Sequence, residues 1–173
     1  KVDMFIVRHK CAGAPYIVSQ NTNAAVIDAG DGKHQHPTQA LLDLYTIWKE
    51  KGSFEGLKVG IVGDIAHSRV AGPLFLRFIA WVRTATLLPA RPDVLGADAV
   101  TPYLDEALPD LDVVYMLRIQ MERLESAPFP SLREYNLLYG LTRERERLMK
   151  DDAIICHPGP INRGVELDSY MAD

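Results

Sequence analysis

The sequence predicts an α/β fold with a doubly wound parallel sheet, in which helices cover both faces of the sheet. Short apolar runs alternate along the chain with segments of helical periodicity, which is typical of this class. The runs KVGIV before Gly63 and VVYML before Arg118 are continuously apolar, as expected of strands that are buried on both faces. Apolar residues make up 47% and charged residues 24% of the 173 residues, so the chain is typical of a soluble globular protein.

The strands are predicted from short apolar runs that end in charged residues, glycine or proline. They cover residues 4–7, 24–27, 57–62, 113–117 and 153–156. The predicted helices cover residues 37–51, 68–82, 103–108, 132–139 and 143–150. Residues 84–92, which have prolines nearby, carry no clear pattern.

The helix over residues 37–51 is the best defined. Pro37 suits the first turn of a helix and Gly52 is a natural stop. Apolar side chains recur at helical spacing and predict its buried face. They are Leu41, Leu42, Leu44, Tyr45 and Trp48.

Charge and cysteine content exclude several classes of protein. The net charge of −4 leaves no global basic excess for nucleic acid. The longest apolar stretch, residues 73–82, contains Arg77 and is well short of the roughly 20 residues that span a bilayer. Cys11 and Cys156 are too few for a disulfide framework, which predicts reduced thiols in a cytoplasmic protein. Because the chain opens on a strand without a starter Met, we expect it to begin inside a domain.

Arginines follow the predicted strands. Arg8 and Arg118 come directly after strands, and Arg69 lies in the polar cluster after Gly63. Ligands of open α/β sheets bind outside the carboxyl ends of the strands. Because guanidinium groups suit carboxylates and phosphates, the three arginines indicate a small polyanionic ligand. Solvated arginines, or arginines paired with Asp or Glu, are the alternative.

His36 and Gln39 lie at the start of the predicted helix over residues 37–51. Free N–H groups there favour anions and carbonyl oxygens, and side chains three apart can reach the same ligand. His34 and His36 also suggest a metal pair, but no third ligand of matching spacing follows. The string GIVGD resembles part of a dinucleotide loop and lacks its last glycine, so it supports a nucleotide-binding module only weakly.

Taken together, the motifs resemble the aspartate/ornithine carbamoyltransferase family, and within it the catalytic chains that act on aspartate. The matching strings are DAGDGKHQHPTQALLDLYTI from Asp28, VGDIAHSRVA from Val62, MLRIQMERL from Met116 and HPGPINRGVEL from His157. The ornithine branch would be expected to show His-Cys-Leu-Pro where this chain has His157-Pro158-Gly159-Pro160.

The resemblance implies carbamoyl transfer from carbamoyl phosphate to the amino group of L-aspartate, a step of pyrimidine biosynthesis. The residues implied for carbamoyl phosphate are Arg8, His36, Gln39, Gly159 and Pro160, of which Arg8 and His36 would be catalytic. The residues implied for aspartate are Arg69, Arg118 and Gln120. No metal and no organic cofactor are implied. The expected partners are the two substrates and the other subunits of a homotrimer. Regulatory or dihydroorotase-like subunits are further candidates. Neither nucleic acid nor a membrane is expected as a partner.

The resemblance also predicts a domain organisation. Residues 1–36 would end a carbamoyl phosphate domain, residues 37–51 would form a linking helix, and residues 52–173 would form an aspartate domain. The family's Ser-Thr-Arg-Thr phosphate loop, its Ser- and Lys-bearing loop and its C-terminal helix are not in this chain. Gly72-Pro73 replaces the usual continuation of a helix, and Thr86-Leu87-Leu88-Pro89 follows early, so a strand of the aspartate domain is expected to be shortened or missing. We expect little activity from this chain alone, and the alternative is a non-catalytic subunit or fragment that acts by assembly.

Overall fold

A computed structural model describes residues 1–32, 34–63, 65, 68, 84–88, 99–101, 103–119 and 131–172, with the backbone alone for 84–88 and 99–100. The strands are β1 Met4–His9, β2 Ala25–Asp31, β3 Lys58–Val62, β4 Thr84–Leu88, β5 Ala99–Val100, β6 Val113–Met116 and β7 Ile154–Cys156. The α-helices are α1 Ala14–Gln20, α2 Pro37–Lys51, α3 Leu104–Ala107, α4 Leu132–Tyr139 and α5 Arg143–Glu146. Short 3₁₀ helices cover Leu108–Asp110 and Ser169–Ala172. No helix in the described part of the chain is long and apolar enough to cross a membrane.

β1 and β2 form a parallel pair, with Met4 opposite Ala25 at its start. The register shifts between Val7 and His9, so Arg8 lies at an irregularity of the strand. Such irregularities turn a side chain away from the regular alternation of a strand.

The second sheet has the order β5-β4-β3-β6-β7, and its strands pair in parallel. The chain moves outward from β3 to β5 and then returns to the other side of β3 with β6. This is the doubly wound arrangement, and the predicted fold class is confirmed. The order reverses between β3 and β6, where the carboxyl ends of strands leave a crevice in folds of this kind.

Two apolar clusters cover the two faces of the second sheet. Ile61 and Tyr115 pack on the same face as Ile47 of α2. Their neighbours in sequence, Val62 and Met116, contribute to the other face. Successive side chains of a strand point to opposite faces, so burial on both faces explains the continuously apolar runs of β3 and β6.

The predicted buried face of α2 is wrong. Leu41, Leu42, Tyr45 and Trp48 are at least half exposed, whereas the buried residues of this helix are Ala40, Asp43 and Ile47. The helix contacts the sheet along a narrow stripe of positions i, i+3 and i+7, and a carboxylate takes one place in that stripe. Its predicted ends are correct, with Pro37 in the first turn and Gly52 in the left-handed conformation at the C-cap.

Other element predictions need correction. The sequence predicted a shortened or missing strand in the aspartate domain, and the structure shows that β4 is present and pairs with the whole of β3 from Lys58 to Val62. No helix was predicted where α1 lies. The predicted helix over 143–150 ends at Glu146, and that over 103–108 begins at Leu104. The predicted helix over 68–82 falls largely outside the described residues.

Candidate active site

The first turn of α2 presents two of the predicted site residues. His36 is the N-cap residue, and its carbonyl oxygen accepts hydrogen bonds from the backbone N–H groups of Gln39 and Ala40 at 3.1 and 3.2 Å. Its ring Nδ1 lies 3.2 Å from the hydroxyl of Thr38. His36 and Gln39 are both half-buried. They therefore lie side by side at the end of the helix where free N–H groups favour negative charge.

Arg8 lies against the end of the neighbouring strand. Gly30 of β2 has a φ of 142°, and a Cβ atom there would come 3.2 Å from the Cγ atom of Arg8. The apolar stem of Arg8 therefore passes directly over the backbone of Gly30, where a side chain would crowd it. This packing holds the stem, while Arg8 as a whole is exposed.

Two acidic residues of β2, Asp28 and Asp31, accept hydrogen bonds close to the segment that leads into α2. Asp28 accepts hydrogen bonds from the backbone N–H of Gly30 at 2.9 Å and from the amide of Gln35 at 3.0 Å. Asp31 accepts from the backbone N–H of Gly13 at 2.6 Å and contacts His34 Nδ1 at 3.0 Å. These contacts fix the loop that leads from β2 into α2.

A second group of predicted residues lies at the carboxyl ends of β6 and β7. Arg118 follows β6 and is half-buried. Burial, and then the positive charge of Arg118, lower the pKa of His157 from its ordinary 6.5 to about 4. His157 Nδ1 accepts a hydrogen bond of 2.9 Å from the backbone N–H of Gly159, whose φ is 63°. Arg118 is therefore near the turn that carries Gly159 and Pro160.

A buried carboxylate connects the first turn of α2 with β6. Asp43 accepts a hydrogen bond from the Gln39 side chain at 2.9 Å and another from the Tyr115 hydroxyl at 2.6 Å. Tyr115 lies in β6, and Arg118 lies three residues further along the chain, just after the strand ends. Sequence reasoning missed Asp43, although a charged residue between Ala40 and Ile47 in the buried stripe is a signal that could have found it.

Glu166 is a second buried carboxylate that sequence reasoning missed. It accepts hydrogen bonds from the backbone N–H groups of Ile119 at 2.6 Å and Asn162 at 2.9 Å. It therefore joins the segment after β6 to the segment after β7. No spacing in the sequence indicated it, because Ile119 lies 47 positions away.

Local contacts account for the sequence features that suggested a metal pair and a dinucleotide loop. His34 contacts Asp31 while His36 contacts Thr38, and the described residues contain no group of three or more His, Cys, Asp or Glu that could hold a metal ion. A Cβ atom at Gly63 would lie 2.9 Å from the Cβ of Leu117, so close strand packing explains this glycine of the GIVGD string. Arg69 and Gln120, both predicted to bind aspartate, lie outside the described residues.

The fold and the site define an α/β protein with two arginines, Arg8 and Arg118, and a helix N-terminus, which are groups that favour negatively charged ligands. The family model described as aspartate/ornithine carbamoyltransferase, carbamoyl-P binding domain, matches residues 1–49. The model described as the Asp/Orn binding domain of the same family matches residues 55–173. The chain therefore belongs to the aspartate/ornithine carbamoyltransferase family.

Individual relatives agree with this membership. The aspartate carbamoyltransferase catalytic subunit of Acetivibrio thermocellus is 50% identical over 182 aligned positions, which cover 99% of this chain and 56% of that subunit. The aspartate transcarbamoylase of Trypanosoma cruzi, solved with carbamoyl phosphate, has a TM-score of 0.79 and 26% identity over 96% of this chain and 57% of its own. The catalytic subunit of M. jannaschii aspartate transcarbamoylase has a TM-score of 0.77 and 32% identity over 99% of this chain and 58% of its own. The chain thus spans just over half the length of these relatives.

Proposed function

We propose that the protein carrying this chain transfers the carbamoyl group of carbamoyl phosphate to the amino group of L-aspartate, giving N-carbamoyl-L-aspartate and phosphate. The observation that carries the proposal is the position of Arg118. It follows β6, directly beside the reversal of strand order, where a cationic side chain suits an acidic co-substrate. The relatives described above are named for aspartate rather than ornithine.

Carbamoyl phosphate would bind between Arg8 and the first turn of α2. Arg8 would contact the phosphate and the carbonyl oxygen through its guanidinium group. His36 would donate to the carbonyl oxygen as a neutral ring. The hydroxyl of Thr38, 3.2 Å from Nδ1, can donate to that nitrogen, and the hydrogen of the ring then sits on Nε2. Gln39 would orient the carbamoyl amide.

The remaining contacts come from the second sheet. Gly159 and Pro160 would offer backbone carbonyl oxygens to the carbamoyl NH₂ group, and the positive φ of Gly159 gives this turn a shape that other residues rarely adopt. Arg69 and Arg118 would bind the two carboxylates of aspartate, with Gln120 assisting. A carboxylate and a guanidinium form paired, charge-assisted hydrogen bonds, which fix orientation as well as affinity.

The chemistry needs positioning and charge stabilisation from these residues. The lone pair of the aspartate amine attacks the carbonyl carbon, and the C=O electrons move onto oxygen. Arg8 and His36 would stabilise that oxyanion. The C–O bond to phosphate then breaks, and the leaving phosphate takes the proton of the amine. Holding both substrates in contact lowers the barrier further.

We also propose the assembly and the organisation that the family resemblance implies. Residues 1–36 would end the carbamoyl phosphate domain, residues 37–51 would link the domains, and residues 52–173 would belong to the aspartate domain. The full protein would act in the cytoplasm as a homotrimer in pyrimidine biosynthesis. Light scattering on the purified full-length protein would measure the mass, and a monomer would contradict the trimer.

A colorimetric assay for carbamoyl-aspartate tests the proposed activity. We expect product from the protein expressed from its full open reading frame, and little or none from residues 1–173 alone. Ornithine in place of aspartate is the matched control, and we expect no citrulline. A folded full-length protein without turnover would favour the alternative, a non-catalytic subunit that acts by assembly with a partner.

A further inference from the structure

Asp43 is an unusual residue for its position in the fold. Only 7% of it is exposed, and it lies in the stripe of α2 that packs on the second sheet, between Ala40 and Ile47. Burial raises the pKa of its carboxyl, while hydrogen bonds from Tyr115 and Gln39 act in the opposite direction. Burying a carboxylate costs free energy that an apolar residue at the same position would not incur. The position therefore points to a role beyond packing.

The two oxygens of Asp43 have different partners. Oδ2 accepts a hydrogen bond of 2.6 Å from the Tyr115 hydroxyl, and Oδ1 accepts one of 2.9 Å from Gln39 Nε2. Burial strongly raises the pKa of Tyr115, so its hydroxyl keeps its proton and can donate. This contact anchors the carboxylate to β6 and leaves Oδ1 facing the first turn of α2.

The contact with Asp43 determines which end of the Gln39 amide faces outward. An ionised carboxylate can only accept hydrogen bonds, so the NH₂ end of Gln39 must face Asp43. The Oε1 atom then lies on the opposite side of the amide and is presented as an acceptor. A carbamoyl group carries an NH₂ beside its carbonyl, and that NH₂ is a donor.

We propose that Asp43 is a positioning residue that fixes the Gln39 amide with its oxygen outward, so that the site selects a carbamoyl phosphate over other acyl phosphates. This inference rests on the proposed function. An acyl phosphate with a methyl group in place of NH₂ would leave the oxygen of Gln39 without a donor. Sites built to hydrogen-bond a substrate group reject analogues that lack it, because a buried polar group is then left unpaired.

Asp43→Asn in the full-length protein is the most direct test. Tyr115 can still donate to the amide oxygen of the new side chain, so its NH₂ faces Gln39 and the Gln39 amide must turn round. A donor then faces the carbamoyl NH₂. We expect KM for carbamoyl phosphate to rise about tenfold or more, with KM for aspartate almost unchanged. The preference for carbamoyl phosphate over acetyl phosphate, which would give N-acetyl-L-aspartate, should fall by a similar factor.

Two further variants separate positioning from a purely structural role. Tyr115→Phe removes the anchor of Asp43 on β6 but leaves a carboxylate, which can only accept, beside Gln39, so the preference between the two acyl phosphates should fall much less than in Asp43→Asn. On a Gln39→Ala background, Asp43→Asn should cause no additional loss of preference, because the two side chains act as one unit. An equal loss on both backgrounds would overturn the inference.

The result also distinguishes the two proposals. A full-length wild type that forms no carbamoyl-aspartate contradicts the proposed function, whereas an active wild type with an unaffected Asp43→Asn variant contradicts only the role of Asp43. If the variant does not fold, NMR on the wild type can measure the hydrogen exchange of the Gln39 side-chain NH₂ group. This measurement then tests whether Asp43 holds that group. Protection is the expected result, and exchange as fast as that of an exposed glutamine would overturn the inference.

Discussion

Glu166 is fully buried and accepts a hydrogen bond of 2.6 Å from the backbone N–H of Ile119, the residue that follows Arg118. The side chain of Asn162 completes the arrangement, donating to Glu166 at 2.7 Å and to the carbonyl of Ile119 at 2.9 Å. One carboxylate thus holds together the segments that follow β6 and β7. Those segments carry Arg118 and Gly159.

Glu166→Gln should therefore destabilise the protein. An amide in place of the carboxylate turns an NH₂ group towards a backbone N–H that needs an acceptor. We expect the free energy of unfolding to fall by about 2–4 kcal/mol, as for other broken buried polar contacts. Urea denaturation measures this change. Glu55→Gln, at an exposed position, is the matched control, and an equally small effect of both variants would contradict the role of Glu166.

Arg118→Ala in the full-length protein should separate the two substrates. The lost guanidinium would remove charge-assisted hydrogen bonds to a carboxylate of aspartate, which are worth about 1.5–3 kcal/mol, or roughly a 10- to 150-fold rise in KM for aspartate. Binding of carbamoyl phosphate should change far less. Steady-state kinetics with each substrate varied would show the difference. Arg133→Ala removes an exposed positive charge on α4 as a control, and equal losses for both substrates would count against the assignment.

His157 should make the stability of the protein depend on pH. Its pKa is about 4 in the folded protein and 6.5 ordinarily, so the unfolded chain binds a proton first as pH falls. The contribution of the neutral His157 ring to the free energy of unfolding is therefore present above pH 6.5. It is lost progressively as pH falls from 6.5 to 4. Because His157 as a whole is only half-buried, solvent screening reduces the effect, and we expect the free energy of unfolding to fall by about 1 kcal/mol between pH 7 and pH 5.

His157→Gln checks this pH dependence, since it removes the titrating ring. Unfolding free energies measured at both pH values should show a smaller acid loss in the variant than in the wild type. His9→Gln, which alters an exposed ring on β1, should retain the full loss. A variant at position 157 that loses as much stability as the wild type would contradict the shifted pKa.

The sequence predicted the elements whose burial is symmetrical and missed those that depend on distant contacts. β3 and β6 are buried on both faces, so their sequences are continuously apolar and predicted them as strands. In α1, by contrast, Tyr16 and Ile17 are 68% and 62% exposed, so no apolar face distinguishes this helix from a loop. β4 pairs with β3 along its whole length, and no local sequence pattern in residues 84–88 indicates that pairing.

The same distinction holds for the candidate site. His36 and Gln39 could be predicted because a helix start and the family strings mark them locally. Asp43 could not, since its partner Tyr115 is 72 positions away in sequence. An apolar face chosen by hydrophobicity alone also led to the wrong stripe of α2, because large apolar side chains outnumber the small and polar residues that pack on the sheet. Contacts between segments that are distant in sequence therefore determine both the environment of Asp43 and the buried stripe of α2.

Gly60 offers a test of packing in the centre of the second sheet. A Cβ atom at this position would come closer than 3.0 Å to Cδ1 of Leu111, which is itself buried. Overpacking of a close-packed core typically costs about 1–3 kcal/mol, so Gly60→Ala should lower the free energy of unfolding by that amount. Thermal and urea denaturation give this value.

If the overlap with Leu111 is the cause, the double variant with Leu111→Ala should lose less stability than the sum of the two single losses. Strict additivity would show that the strain arises elsewhere. Gly56→Ala would not be a fair comparison, since its φ of 78° adds backbone strain, whereas the backbone of Gly60 suits any residue.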